Sequence, residues 1–188
     1  MTPQKFRIQI GTKLIEDMLN PKPHELDLDA IDANLRRTIR FASAPGAINV
    51  NQHRHLVGRL VRMDRLDSFG GIEATEELYK DVLRWAHHHD DHEGVIGDIV
   101  APVKTLISAR TNILEIAEIA IDKAICDARG FDYPSETIRG LVHRYDKAAE
   151  TIEWCYALDR PQAPWNHPCP DHLLKQGRFL IDWARSIK

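Results

Sequence analysis

The stretch EELYKDVLRWAHHHDDHEGVIGD, residues 76–98, decides how the rest of the chain is read. Leu78, Val82, Trp85 and His89 stand at i, i+4, i+7 and i+11, one face of an α-helix, so an apolar stripe that must bury itself ends in an imidazole. His88 shares its stripe with Asp81 and Arg84 and reads as solvent-facing. Between Ala86 and Asp98 the chain carries four histidines and four acidic residues. Taken alone, such a tract is most often a solvated polar loop. Its attachment to a buried stripe changes the reading. His89 followed at once by Asp90 turns an imidazole nitrogen and a carboxylate oxygen toward one interior point, a donor pair suited to a divalent cation.

Working outward, the segment before this helix holds Ser68-Phe69-Gly70-Gly71, a turn or loop. Ahead of it a second helix is expected from about Gln52 to Met63, capped by Asn49 or Asn51. His53, Val57 and Leu60 lie on its buried face, whereas His55 sits with Arg59 and Arg62 and reads as exposed. A lone core histidine would usually mean no more than a satisfied hydrogen bond; beside His89-Asp90, His53 becomes a third inward donor. Earlier still, Asp29 is expected to cap a helix striped by Ile31, Leu35 and Ile39, with Arg36, Arg37 and Arg40 complementing its C-terminal dipole. Phe6 to Ile10 alternate up to Gly11, which allows a short N-terminal hairpin.

On the C-terminal side Gly94 and Gly97 break regularity. Residues from about Asn112 to Cys126 form a helix buried along Leu114, Ala117, Ile121 and Ile125, with Glu115, Glu118 and Asp122 on a solvated flank. Pro134 opens a long helix, about Ser135 to Leu158, with Ile138, Val142, Tyr145, Ala149 and Ile152 inside. Asp146, four residues beyond Val142, shares that buried face, where a carboxylate is costly unless paired or metal-bound. Pro161, Pro164, Pro168 and Pro170 mark an irregular linker, and Leu173, Leu180 and Trp183 a closing helix. The expected fold is all-α, a helical bundle with at most one small N-terminal β-hairpin, in a single domain spanning residues 1–188.

A net charge of −3 and a pI near 6.4 argue against a protein that coats nucleic-acid polymers or membrane surfaces, leaving small molecules as the expected partners. Association into a homo-oligomer stays open. No signal-peptide pattern and no run of about 18 apolar residues is seen, so a cytoplasmic location is expected, with Cys126, Cys155 and Cys169 as reduced thiols.

Three helices thus offer His53, His89, Asp90 and Asp146, with Asp122 and Asp127 as rivals for the last position. Two imidazoles and two carboxylates suit manganese, cobalt, iron or zinc better than magnesium, which prefers oxygen donors.

The order His53, His89-Asp90, Asp146 resembles the H…HD…D signature of the HD-domain metal phosphohydrolases. The string His89-Asp90-x-x-Glu93-x-x-x-Gly97-Asp98-x-x-x-Pro102-x-Lys104 is similar to the short bacterial and phage branch that includes 5'-deoxynucleotidase. Arg40-Phe41 and Asn49-Val50-Asn51-Gln52-His53 resemble that branch's Arg-aromatic pair and its entry to the first histidine, and Val142 to Ala148 its final motif. The likeness covers roughly residues 28–158. Gln52 stands where the branch often has Glu, and Phe41 where the deoxynucleotidase has Trp. It implies an HD fold and a metal-dependent hydrolase of nucleotides, most of all 5'-monophosphates. Deoxynucleotide triphosphate hydrolysis is the alternative, and a non-catalytic ligand-binding HD module the rival of another class. Under this likeness Glu93 is the candidate general acid or base and Asp98 positions water or sugar. Arg40 and Lys104 are candidates for phosphate and Phe41 for a base or sugar.

Overall fold

The computed structural model describes residues 5–67 and 75–188; the Ser68 to Gly71 loop expected from the sequence lies outside them. The described chain is mostly helical, with one hairpin, β1 (Ile8–Ile10) and β2 (Lys13–Ile15). The helices are α1 (Leu28–Arg37), α2 (Arg40–Ser43), α3 (Val50–Asp64), α4 (Glu76–Ala86), α5 (Glu93–Ile96), α6 (Ala101–Ser108), α7 (Ile113–Arg129), α8 (Glu136–Ile152), α9 (Asp171–Leu174) and α10 (Gly177–Arg185). No described helix is long and apolar enough to cross a membrane. The three cysteines are free thiols. The backbone groups into two compact units, residues 1–38 with 91–133, and 39–90 with 134–188.

In the first unit the hairpin pairs Ile8 with Ile15 and Ile10 with Lys13 and buries Ile10 and Ile15. Gly11 turns it at φ +56, and a Cβ there would stand 2.4 Å from Asp27 Oδ2. The reason is a clip: Asp27 accepts from the Thr12 backbone and hydroxyl, both at 3.0 Å, while its other oxygen accepts from Ala30 N. Asp27, not the expected Asp29, is therefore the cap of α1; Asp29 lies in the first turn. Helix α1 stops before Ile39, which is exposed, so its buried face is Ile31 and Leu35 alone. Gly94, expected to break the chain, sits inside α5 instead and lets that helix press on α1. A Cβ at this glycine would meet Ile31 Cγ2 at 2.6 Å and the Ile31 carbonyl at 2.8 Å. Asn34 Nδ2 donates to the Gly94 carbonyl at 2.8 Å, and Arg129 joins Asp91 and Asp32. Asp122 is not on a solvated flank. It is buried and accepts from His92 N at 3.2 Å and from the His92 ring at 3.1 Å.

The second unit is built on α3, which starts in a reciprocal cap: Gln52 N donates to Asn49 Oδ1 at 2.8 Å and Asn49 N to Gln52 Oε1 at 3.1 Å. Helices α4, α8 and α10 pack on it. Val57, Leu60, Val61, Val82, Tyr145, Ile152, Leu180 and Ile181 are all fully buried. Burying each large aliphatic side chain stabilises by about 1.5–3 kcal/mol. Thr75 caps α4 and Ser135 caps α8, each through its hydroxyl. Helix α4 ends at Ala86, three residues short of His89, and the tract continues as turns. The end of α8 widens into a π-helical turn, Glu153–Ala157. Arg40 lies outside α1 and leads into a left-handed turn, with Phe41, Ala42 and Ser43 at φ 52, 51 and 61. Non-glycine residues rarely adopt this conformation.

Candidate metal centre

Within the second unit, α3, the end of α4 and α8 bring four of the expected donors to one place. His53, His89 and Asp146 each offer a ligand atom, all within 4.8 Å of one another. Asp90 Oδ2 adds a fourth, 3.5 Å from His53 Nε2 and 3.3 Å from His89 Nε2. Asp146 Oδ1 lies 3.1 Å from His53 Nε2 and 3.9 Å from His89 Nε2. Of the rivals for the last position, Asp122 belongs to the first unit, where it is bound to His92, and Asp127 is exposed.

Both imidazoles are oriented through the nitrogen that faces away from the cluster. His89 Nδ1 lies 3.0 Å from the Ala86 carbonyl, which can only accept, so that nitrogen carries a proton and Nε2 is the atom turned inward. That Nε2 is buried and makes no hydrogen bond. His53 Nδ1 contacts Glu153 Oε1 instead. Glu153 is fully buried, at the first position of the π-helical turn. A carboxylate behind a histidine is the usual arrangement that fixes the tautomer of a metal-ligating imidazole. A buried Nε2 that makes no hydrogen bond, flanked by two carboxylates and a second imidazole, fits a divalent cation, and this group of buried side chains can hold one.

The charges agree. Burial, and behind it Arg40, push His53 down, yet the carboxylates of Glu153 and Asp146 raise it to about 9. His89 is likewise held well above the usual histidine range, its burial outweighed by Asp90 and Asp146. Burial raises Asp90 and Asp146, and the two histidines overcome it and hold both below the ordinary carboxylate range. Without a cation, protons on the imidazoles balance the carboxylates; a metal ion would supply the same positive charge.

Arg40 is not a dipole complement to α1. It is buried, with Nε 3.1 Å from Glu153 Oε2 and terminal nitrogens 3.5 Å from Asp90 Oδ2 and 3.8 Å from Glu150 Oε1. Phe41 stands beneath its guanidinium, 5.6 Å from Cζ to ring centre, and edge-on to Trp154 at 6.2 Å. Glu93 opens α5 and is buried, Asp98 is half-buried, and Lys104 pairs with Glu118 at 3.1 Å; all three belong to the first unit.

The histidine tract is not a uniform loop. His87, pushed down to about 4 by burial and by His55 and Arg62, lies 5.0 Å from the His55 ring over Gly58, where a Cβ would meet it at 2.6 Å. His55 and His88, expected to be exposed, are half-buried. Glu150, Glu153 and Lys147 are not among the residues expected from the sequence. A signal existed: Asp146, Glu150 and Glu153 recur at i, i+4 and i+7, which makes an acidic stripe out of one face of α8. Lys147 Nζ sits on that stripe, 2.9 Å from Glu150 Oε1 and 3.5 Å from Asp146 Oδ2.

The sequence matches no protein-family model and no curated protein.

Proposed function

We propose that the chain is a metal-dependent phosphohydrolase of the HD-domain kind, acting on (deoxy)nucleotides. The observation that carries this reading is the convergence of two buried imidazole Nε2 atoms and the carboxylates of Asp90 and Asp146. The histidine and aspartate spacing that resembles the HD signature falls on those same four residues. His53, His89, Asp90 and Asp146 would hold the metal, with manganese, cobalt, iron or zinc favoured over magnesium by the mixed nitrogen and oxygen set. Bound there, such an ion polarises a phosphoryl oxygen and lowers the pKa of water toward about 7.

The chain's own residues do the rest. The Ala86 carbonyl and Glu153 keep both Nδ1 atoms engaged, so each imidazole is held with its Nε2 turned toward the ion. Arg40 at Asp90 and Lys147 at Asp146 bring positive charge to the edge of the donor set, and we assign them to the phosphate oxygens. In this network two fixed cations stand against four carboxylates, Asp90, Asp146, Glu150 and Glu153. That balance favours one phosphate group over the four negative charges of a triphosphate, hence 5'-monophosphates as substrates. Glu93 and Asp98 remain the acid-base and positioning candidates by resemblance.

The test is incubation of purified protein with dAMP and with dATP, under manganese, cobalt or zinc and under EDTA, with products identified. Metal-dependent release of inorganic phosphate from dAMP is expected. Release of tripolyphosphate from dATP with dAMP untouched would replace the monophosphate reading, and inertness toward both with a metal bound would replace the enzyme with a binding module.

A further inference from the structure

Residues 159–170 lie beyond the stretch that resembles the HD branch, and they fold back along the end of α8. Two indoles tie them down. Trp154 Nε1 donates to the Gln162 carbonyl at 2.8 Å, and Trp165 Nε1 to Thr151 Oγ1 at 3.3 Å. The rings meet edge to face at 5.0 Å. With both N–H groups engaged inside the protein, what each indole has left to offer is its ring, and both rings are only half-buried.

Next in line is His167, 5.6 Å from Trp165 and tilted by 34°. Its Nε2 is 3.7 Å from Glu150 Oε2, an ion-pair distance too long for a hydrogen bond, so the hydrogen-bonding capacity of that nitrogen is left for another group. Glu150 in turn holds Lys147 at 2.9 Å, and Lys147 is 3.5 Å from the donor Asp146. From the donors to the aromatic run the path is therefore three polar contacts. At the far end Phe41 is pressed toward Trp154 by the left-handed turn at Phe41 to Ser43, a backbone conformation that clusters where geometry serves binding.

We propose that Trp165 and His167 form a recognition wall for a planar aromatic ring, the nucleobase part of a phosphate ester whose phosphate goes to the donor cluster. The ring lies against Trp165, and His167 Nε2 reaches a polar atom on its edge. Stacking of a base on an aromatic side chain is sequence-tolerant, because every base has a π face, so the wall selects nucleotides over simple sugar phosphates and leaves base identity loosely specified. The proposal rests on the phosphohydrolase reading for its phosphate end, but its ring end can be tested alone.

The experiment titrates the full chain, in EDTA so that nothing is turned over, with dAMP and with deoxyribose 5-phosphate, following tryptophan emission and calorimetric heat. Wild-type protein is expected to bind dAMP at least about fivefold more tightly than deoxyribose 5-phosphate, with emission quenched by dAMP alone. Trp165→Leu should erase the preference and Trp165→Phe, which keeps a ring, should retain it; His167→Ala should weaken dAMP and leave the sugar phosphate unchanged. Zinc stoichiometry by elemental analysis should be the same in all four proteins. Failure of wild type to bind dAMP, equal affinity for the two probes, or a Trp165→Leu affinity for dAMP within twofold of wild type overturns the wall. Zinc bound without the preference would sink this proposal and leave the metal centre standing, whereas the preference without zinc would do the reverse.

Discussion

Glu153 grips His53 by Nδ1 across a separation of one hundred residues, and the same carboxylate takes Arg40 Nε on its other oxygen at 3.1 Å. One buried anion thus orients a candidate metal-ligating histidine and is neutralised by an arginine. Glu153→Gln keeps the shape and removes the charge, and the amide can present its NH2 to His53 and reverse the tautomer. Zinc affinity, read by competition with a chromophoric chelator, is expected to fall about 10–100-fold while far-UV circular dichroism stays native. Unchanged affinity would reduce Glu153 to a packing residue.

The donor set makes a sharper prediction. His53→Ala, His89→Ala, Asp90→Ala and Asp146→Ala should each strip the ion, whereas Asp122→Ala and Asp127→Ala should leave stoichiometry intact, measured by elemental analysis after dialysis. Full occupancy in Asp146→Ala would transfer the fourth position to another carboxylate.

Gly94→Ala tests the packing of α5 on α1. A methyl group there would lie 2.8 Å from the Ile31 carbonyl oxygen, which as backbone cannot swing aside. Overpacking of this sort costs about 1–3 kcal/mol, more than alanine's helix propensity returns, so the urea midpoint should drop.

A pH dependence arises at Asp27. Backbone donation from Thr12 and Ala30 and the Thr12 hydroxyl hold its carboxyl below the ordinary 3.8. A depressed folded-state pKa means stability that is fully present above 3.8 and is lost as pH falls through the folded value. Asp27→Ala should therefore melt below wild type at pH 7, and the gap should narrow as pH drops below 3.8. A gap that stays constant down to pH 2 would show that the clip is not electrostatic.

Much of this architecture is legible in the residues. An asparagine cap ahead of Gln52, the period-four stripes of α4 and α8 and the turn signal at Pro134 locate helices because they are local chemistry. His53, His89-Asp90 and Asp146 are legible for the same reason, as polar side chains on apolar faces. Glu153 is legible only as the end of the acidic series Asp146, Glu150 and Glu153; its partner is not, because only the π-helical turn and the approach of α3 bring it to His53. Arg40 departs from its expected role because the chain leaves the α region at Thr38 and Ile39 to start a left-handed turn, where the stripe alone would extend the helix. Asp27 rather than Asp29 caps α1 because Thr12, fifteen residues upstream of Asp27, supplies the donors that decide between them.

The two imidazoles are secured over very different spans of chain. His89 leans on Ala86, three residues away, and so is aligned as soon as the end of α4 forms. His53 waits for Glu153, which must be brought across a hundred-residue loop, with the loop-closure entropy that implies. The centre is thus half local and half long-range, and its complete donor set exists only once α8 has docked on α3. A cation that binds this chain would act as a clasp between α3 and α8, holding closed a contact that closes a loop of one hundred residues.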